Sequence, residues 1–400
     1  MIDLIRVPLA IAFLLFVCWL MSSDRGAIRW RPVAIGLALQ FALAGLMLWS
    51  QPGQVALQAV SDGVTKVVDS AIAGAVFAFG EDYREHFVAF GIPSTIIFFS
   101  TLMALLYHFG IIQWVVRGMA WGMRKILPVS GAESLVAAAN VFIGNTESPL
   151  MVKPYIPAMT RSEIAAMMTA GMATMSGGML AVYIGMGADA GYLLTASLMA
   201  APGALVVAKI LRPEVDQPLT MSGRVERLKS EDINAFQAMT RGASDGLILA
   251  ATVVAMLIAF IAMVALINMI LTVIPDIAGE PLTLQRIFGW LFFPVAWLVG
   301  ADLADAAAVG NLIGTKLFLT EFLAYSDLLE LGDTISAQSR AVGMFVLCGF
   351  SSFISIGVQV GGISTLAPER KNDIAELGVL TMFGGLIVTL MSTTLASLFF

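Results

Sequence analysis

The chain has 400 residues, 58% of them hydrophobic and 12% charged, with a mean hydropathy of +0.88 and a formal net charge of −6. A soluble domain carries about 25% charged residues, so this composition excludes a water-soluble globule and implies an all-α integral membrane protein. The small net charge says nothing about partners, and no basic patch points to nucleic acid.

Val7–Met21 reads as a first crossing; it lacks a small-residue cleavage site and runs into Asp24-Arg25, so it is expected to be retained. Val33–Trp49 is the second crossing. Gln54–Phe79 carries Val60, Val64, Val67, Val68, Ala71 and Ile72 on one face and Asp62, Lys66 and Asp69 on another, which predicts an interfacial amphipathic helix. The acidic loop Glu81–His86 leads to a third crossing, Pro93–Phe109. Ile111–Ile126 is again amphipathic, with Arg117, Arg124 and Lys125 on its polar side.

A polar stretch follows, Asn140-Val141-Phe142-Ile143-Gly144-Asn145-Thr146-Glu147-Ser148-Pro149. Its apolar arms, Leu135–Ile143 and Leu150–Ile156, fall short of the about 20 residues a crossing needs, so they predict a re-entrant hairpin. Such a tip is tolerated at depth only inside protein or beside water. Ile164–Met186 is a fourth crossing, interrupted at Thr174-Met175-Ser176-Gly177-Gly178, and Tyr192–Val207 is a fifth. Pro213–Gly246 is the most polar stretch and reads as a soluble loop. Leu247–Ile274 is a sixth crossing, and Leu284–Leu298 is amphipathic. Ala306–Tyr325 forms a second hairpin, with Lys316, Thr320 and Glu321 near its tip. Arg340–Gly357 is a seventh crossing, broken at Gly349-Phe350-Ser351-Ser352, and Val379–Phe400 is an eighth after the turn Pro368–Glu376. Cys18 and Cys348 both fall in apolar spans and read as packing residues.

The expected fold is therefore eight transmembrane helices and two re-entrant hairpins. Its expected divisions are residues 1–90 (N-terminal helices and the interfacial helix, a scaffold), 91–210 (first repeat), 211–246 (cytoplasmic loop) and 247–400 (second repeat). The two halves echo each other. Gly131-Ala132-Glu133 and Ala137-Ala138-Ala139 lead to Ile143-Gly144 and Thr146-Glu147; Gly300-Ala301-Asp302 and Ala306-Ala307-Ala308 lead to Ile313-Gly314 and Thr320-Glu321. Placing the loop between the first two crossings inside leaves only Arg6, Lys66, Arg84, Arg286, Lys316 and Arg340 of the 22 basic residues off the inner face. Arg224, Arg227, Lys229 and Arg241 then count as inner. Both termini face out, and the repeats have opposite topology. Paired interrupted segments in inverted halves point to a transporter's midplane site.

An ionisable residue at membrane depth costs about 2.5–3.5 kcal/mol, so Glu147 and Glu321 are functional candidates. They would bind substrate hydroxyls or a coupling cation; the alternative is a structural ion pair with Lys153 or Lys316. Asn140, Ile143, Thr174 and Met175 offer an amide oxygen, a hydroxyl and carbonyls freed at helix breaks, which suits sodium; the alternative is an asparagine that caps the turn. Ser352 and Ser355 share a helix face, either towards a ligand or bonding back to helix carbonyls. Phe350 either packs or stacks on a planar ligand. His86 and His108 are isolated. Gly310–Lys316 is one residue short of a phosphate loop, and no hydrolase motif is present, so an enzyme has no visible support.

Gly144-Asn145-Thr146-Glu147-Ser148-Pro149-Leu150 resembles the Gly-Gln-Thr-Glu-Ala-Pro-Leu signature of the concentrative nucleoside transporters. Val309–Lys316, Thr320-Glu321-Phe322 and Cys348-Gly349-Phe350 agree with it, and the resemblance covers nearly the whole chain. It implies a homotrimer in a bacterial-type inner membrane that imports nucleosides by alternating access, driven by sodium or protons. By resemblance, Asn145, Thr146, Glu147 and Met179 would face the base, Phe350 would stack on it, and Glu321, Ser352 and Ser355 would face the ribose. Asn140, Ile143, Thr174 and Met175 would surround sodium, the last three partly through backbone. Asn145 replaces the usual glutamine, Ser352 the usual asparagine, and Met179 a smaller valine; the first two changes enlarge the pocket or admit water and leave purine against pyrimidine preference open. Sodium-driven nucleoside import is the leading expectation. Proton coupling, a channel or carrier for another small polar solute, and a membrane enzyme are the alternatives.

Overall fold

In a chain this apolar, backbone N–H and C=O groups must find partners within the protein, and helices do this locally. The computed structural model of the chain describes residues 2–221, 232–277 and 279–400. Arg224, Arg227 and Lys229 lie outside them. Among the described residues the structure is helical throughout, the only strand-like feature being one bridge between Ile277 and Glu280.

The first part of the chain forms α1 (Ile2–Met21), α2 (Trp30–Ala44), α3 (Gln51–Phe79), α4 (Phe87–His108) and α5 (Ile111–Ile126). The first hairpin begins with α6 (Gly131–Ala139). Then come α7 (Arg161–Ala173), α8 (Gly177–Gly185), α9 (Ala190–Leu211) and the long α10 (Ala235–Leu271). The second half holds α11 (Leu284–Val299), α12 (Ala306–Phe318), α13 (Glu321–Leu331), α14 (Ala337–Leu347), α15 (Phe353–Leu366) and α16 (Lys371–Ala396). Among the described residues six stretches are long and apolar enough to cross a membrane: Trp30–Trp49, Ala89–His108, Arg161–Gly185, Ala190–Leu211, Ala235–Leu271 and Pro368–Phe399. Ile5–Met21 and the two halves of the expected seventh crossing are shorter. α1 and α2 lie against α9 and α16, whereas α3 lies along α4 and α8.

Three local features differ from the sequence expectation. The second arm of the first hairpin, Ser148–Ala158, is a 3-10 helix, because Pro149, Pro154 and Pro157 each remove a donor that an α-helix would need. The second hairpin continues past Tyr325 to Leu331. The polar stretch ending at Gly246 is not all loop. α10 already starts at Ala235, capped by Asn234, and Arg241 is held there by Asp232 at 2.8 Å and Asp245 at 3.6 Å.

Small residues let α10 approach α4 closely: a Cβ on Gly242 would lie 2.7 Å from the Ser100 carbonyl, and one on Gly246 2.7 Å from Ile97 Cα. Each interrupted crossing restarts on a serine cap. Ser176 accepts the Met179 N–H at the start of α8, and Ser352 accepts the Ser355 N–H at the start of α15. Gly349 turns the second break at φ +115°, and a Cβ there would sit 2.6 Å from the Ala173 carbonyl. The two breaks are thus packed against each other at the centre of the molecule.

The hairpin roots are held alike in both halves. Ser130 caps α6 in a capping box with Glu133 and donates to Glu163 at 2.6 Å. In the second half, Ser336 caps α14, donates to Asp302 at 2.5 Å and gives its N–H to Asp305 at 3.0 Å. Each hairpin is therefore tied at its root by buried or part-buried hydrogen bonds and presents its tip to the breaks.

Candidate functional site

A cavity opens where the hairpin tips and the breaks meet, with about 980 Å³ of atom-free space counted out to its mouth. Its lining comes from four interrupted elements and one continuous helix. The first hairpin contributes Gly144, Asn145, Thr146 and Glu147; the start of α8 contributes Ser176 and Met179. The second hairpin contributes Thr320, Glu321 and Phe322, and the second break with α15 contributes Phe350, Ser352, Ile354, Ser355 and Val358. Leu249, Thr252, Val253, Met256 and Leu257 of α10 close the apolar side. All eight candidate substrate residues named from the sequence lie around this one space.

Local backbone logic places each of them. Asn145, Thr146 and Glu147 sit on the turn after α6, where the N–H groups of Glu147 and Ser148 return to the Gly144 carbonyl at 3.1 and 2.9 Å. Close packing holds this turn. A Cβ on Gly171 would lie 2.9 Å from Asn145 Cβ, and one on Gly362 2.9 Å from Thr146 Cγ2. Glu147 is exposed and borders a second, adjoining cavity as well as the first. Glu321 is the first residue of α13, directly after its cap Thr320, and is 8% exposed. A carboxylate there is favoured by the helix dipole and the free N–H groups of the first turn. Ser352 and Ser355 hydroxyls are 2.8 Å apart. They pair with each other rather than with helix carbonyls.

Neither glutamate forms a direct ion pair with the lysine the sequence offered. Lys153 is exposed, and the Lys316 ammonium is bonded to the Val346 carbonyl at 2.7 Å.

The four candidate sodium residues lie just behind the first hairpin tip, and all are buried. The Asn140 amide donates to the Val136 carbonyl at 3.1 Å, and its oxygen accepts from the Ser148 hydroxyl at 2.8 Å. The Thr174 hydroxyl donates to Ala170 O at 2.8 Å, leaving its lone pairs free. The tip and the first break are joined by a backbone bond from Gly177 N–H to Phe142 O at 3.1 Å. Ile143 and Met175 flank that junction. These oxygens are neutral, which suits a monovalent hard cation. Among the described residues no cluster of three or more histidines, cysteines and carboxylates could hold another metal. Cys18 and Cys348 are both buried and not in a disulfide.

Sequence reasoning missed Ser148, Ser176 and the α10 wall. Ser148 lay inside the singled-out stretch and Ser176 inside the first interruption, so both carried a signal. The α10 wall carried none.

Three family models match the chain: Na+ dependent nucleoside transporter N-terminus over residues 9–82, nucleoside recognition over 89–190, and Na+ dependent nucleoside transporter C-terminus over 192–397. An uncharacterized transporter of Haemophilus influenzae is 40% identical over 403 residues, covering 98% of this chain and 96% of that protein. Solute carrier family 28 member 3 of Mus musculus is 38% identical over 96% of this chain, which spans 57% of that protein's length. Sodium/nucleoside cotransporter 1 of Homo sapiens is 36% identical over 97% of this chain, which spans 62% of it. Among solved structures, CNTnw in an inward-facing substrate-bound state aligns with a TM-score of 0.93 at 38% identity, over 99% of this chain and 98% of that one. A CNTnw variant in an outward-facing state aligns with a TM-score of 0.94 at 38% identity, over 100% and 98%. These relatives are transporters, not enzymes.

Proposed function

Because the chain belongs to the concentrative, sodium-dependent nucleoside transporter family, we propose that it imports nucleosides as a secondary active symporter driven by an inward sodium gradient. The observation that carries this reading is the convergence of polar groups from both repeats on one cavity with an apolar wall. A nucleoside needs this division: a planar base with a few polar edges, and a ribose with vicinal hydroxyls. Asn145, Thr146 and Glu147, with Met179 beside them, take the base edge, and Phe350 stacks on its face. Glu321, Ser352 and Ser355 take the ribose hydroxyls, the carboxylate accepting two donors at once. Sodium is held by Asn140, Ile143, Thr174 and Met175, next to the base-binding tip, so that its binding orders the tip.

Eight crossings and two hairpins in an inverted repeat give the site access to either side in turn. α3, α5 and α11 lie at the membrane interfaces. The protein sits in a bacterial-type inner membrane with both termini outside, as a homotrimer. The wall from α10 is apolar apart from Thr252, whose hydroxyl proton is given to the Ile248 carbonyl, so the hairpins carry the specificity.

A carrier and a channel differ in counterflow. Vesicles reconstituted with the protein and preloaded with unlabelled uridine or adenosine should accumulate the labelled nucleoside transiently above its external level. A monotonic approach to equilibrium would identify a channel.

A further inference from the structure

Lys316 is a fully buried charge that makes no hydrogen bond to the residues of the proposed transport site. It sits on α12, shows 0% exposure, and its described partners are all neutral oxygens. Nζ donates to Val346 O at 2.7 Å, to Thr389 Oγ1 at 3.4 Å and to Cys348 O at 3.5 Å. The Thr389 hydroxyl gives its own proton to Leu386 O at 2.8 Å, so towards Lys316 it can only accept. Three donors therefore meet three acceptors, as an ammonium requires; a neutral amine would set its lone pair against oxygen. Val346 and Cys348 stand at the end of α14, where the break leaves carbonyls without helical partners.

The repeat gives this arrangement its meaning. Beyond the shared Ile143-Gly144 and Ile313-Gly314 the halves diverge: the first runs directly into its tip at Thr146-Glu147, whereas α12 continues through Lys316 before the matching tip at Thr320-Glu321. The first half has no fixed cation in that interval, yet it too has a broken crossing against a hairpin tip. We propose that Lys316 is a tethered cation: its ammonium takes, at the break between α14 and α15, the place that the mobile coupling cation takes at the break between α7 and α8. This rests on the sodium reading of the first half. Both halves free carbonyls at their breaks, at the end of α7 and at the end of α14. One half leaves them to an exchangeable ion, which makes that break responsive to the gradient. The other holds them permanently, which keeps Phe350 and Ser352 in place through the cycle.

Removing the charge while keeping the carbonyls should turn the second break into a second sodium site. In the reconstituted full chain, Lys316→Thr should steepen the sodium activation of nucleoside uptake from a Hill coefficient of about 1 to about 2, and raise the half-saturating sodium about fivefold or more. Sodium, compared with choline, should raise the thermal midpoint of detergent-purified Lys316→Thr by more than it does for the parent protein, a readout that needs no transport. Should Lys316→Thr fail to insert, Lys316→Ser, which also removes the charge and leaves both carbonyls to an ion, should show the same steepening. An unchanged Hill coefficient together with an unchanged sodium effect on the midpoint, in whichever variant inserts, would overturn the tethered cation while leaving the sodium reading intact. A parent protein with no sodium response would overturn both.

Discussion

Replacing Glu321 with glutamine should abolish concentrative nucleoside uptake while leaving insertion and folding intact. The two side chains have the same shape, and Glu321 has no packing role that the swap disturbs. What changes is charge and acceptor capacity. Glu321 stands at the start of α13, 8% exposed, with Thr320 capping the helix and the cavity in front of it. A carboxylate there accepts two ribose hydroxyls in charge-assisted bonds worth about 1.5–3 kcal/mol each. Glutamine keeps one neutral acceptor, so the loss is one such bond and the charge assistance of the other, about 2.5–4.5 kcal/mol, a drop of about 10²- to 10³-fold in uptake at fixed nucleoside concentration. Uptake by the variant, normalised to protein that elutes from size-exclusion chromatography like the parent, measures this. Wild-type uptake would sink the ribose assignment.

Replacing Asn140 with alanine should act on the ion rather than on the nucleoside. Asn140 is fully buried, and its oxygen accepts from Ser148 while its amide donates to Val136. One lone pair of that oxygen is left for a cation. Alanine removes the ligand and also strands the Ser148 hydroxyl. Changes of this kind next to a bound ion cost about 10- to 100-fold in ion affinity. The half-saturating sodium concentration should rise by that factor, with uptake recovering at saturating sodium. A superimposable sodium curve would mean that the ion is held elsewhere.

Much of this site could be read in the sequence because membrane depth makes polarity conspicuous. A Glu, two amides and a proline between short apolar arms stand out at 140–149, and Gly349–Ser352 interrupts a crossing just as plainly. The eight candidate substrate residues come together for that reason. The α10 wall was not legible, since Leu249, Val253 and Met256 facing a cavity look the same in sequence as Ile248 or Ile258 facing outward. Nor could spacing decide what Lys316 bonds. Glu321 lies five positions away in the chain, but the break in α14 offers carbonyls that the sequence does not display. The helical start of α10 was hidden for a different reason. Its first turns carry polar and charged residues, and only the contacts of Arg241 with Asp232 and Asp245 show why they fold.

Sodium coupling is tested most directly by nucleoside accumulation in vesicles reconstituted with the purified chain, under an inward sodium gradient and, separately, under a pH gradient in sodium-free buffer. Accumulation above the external concentration is expected with the sodium gradient, without any pH difference. Full accumulation driven by the pH gradient alone, in the absence of sodium, would contradict it.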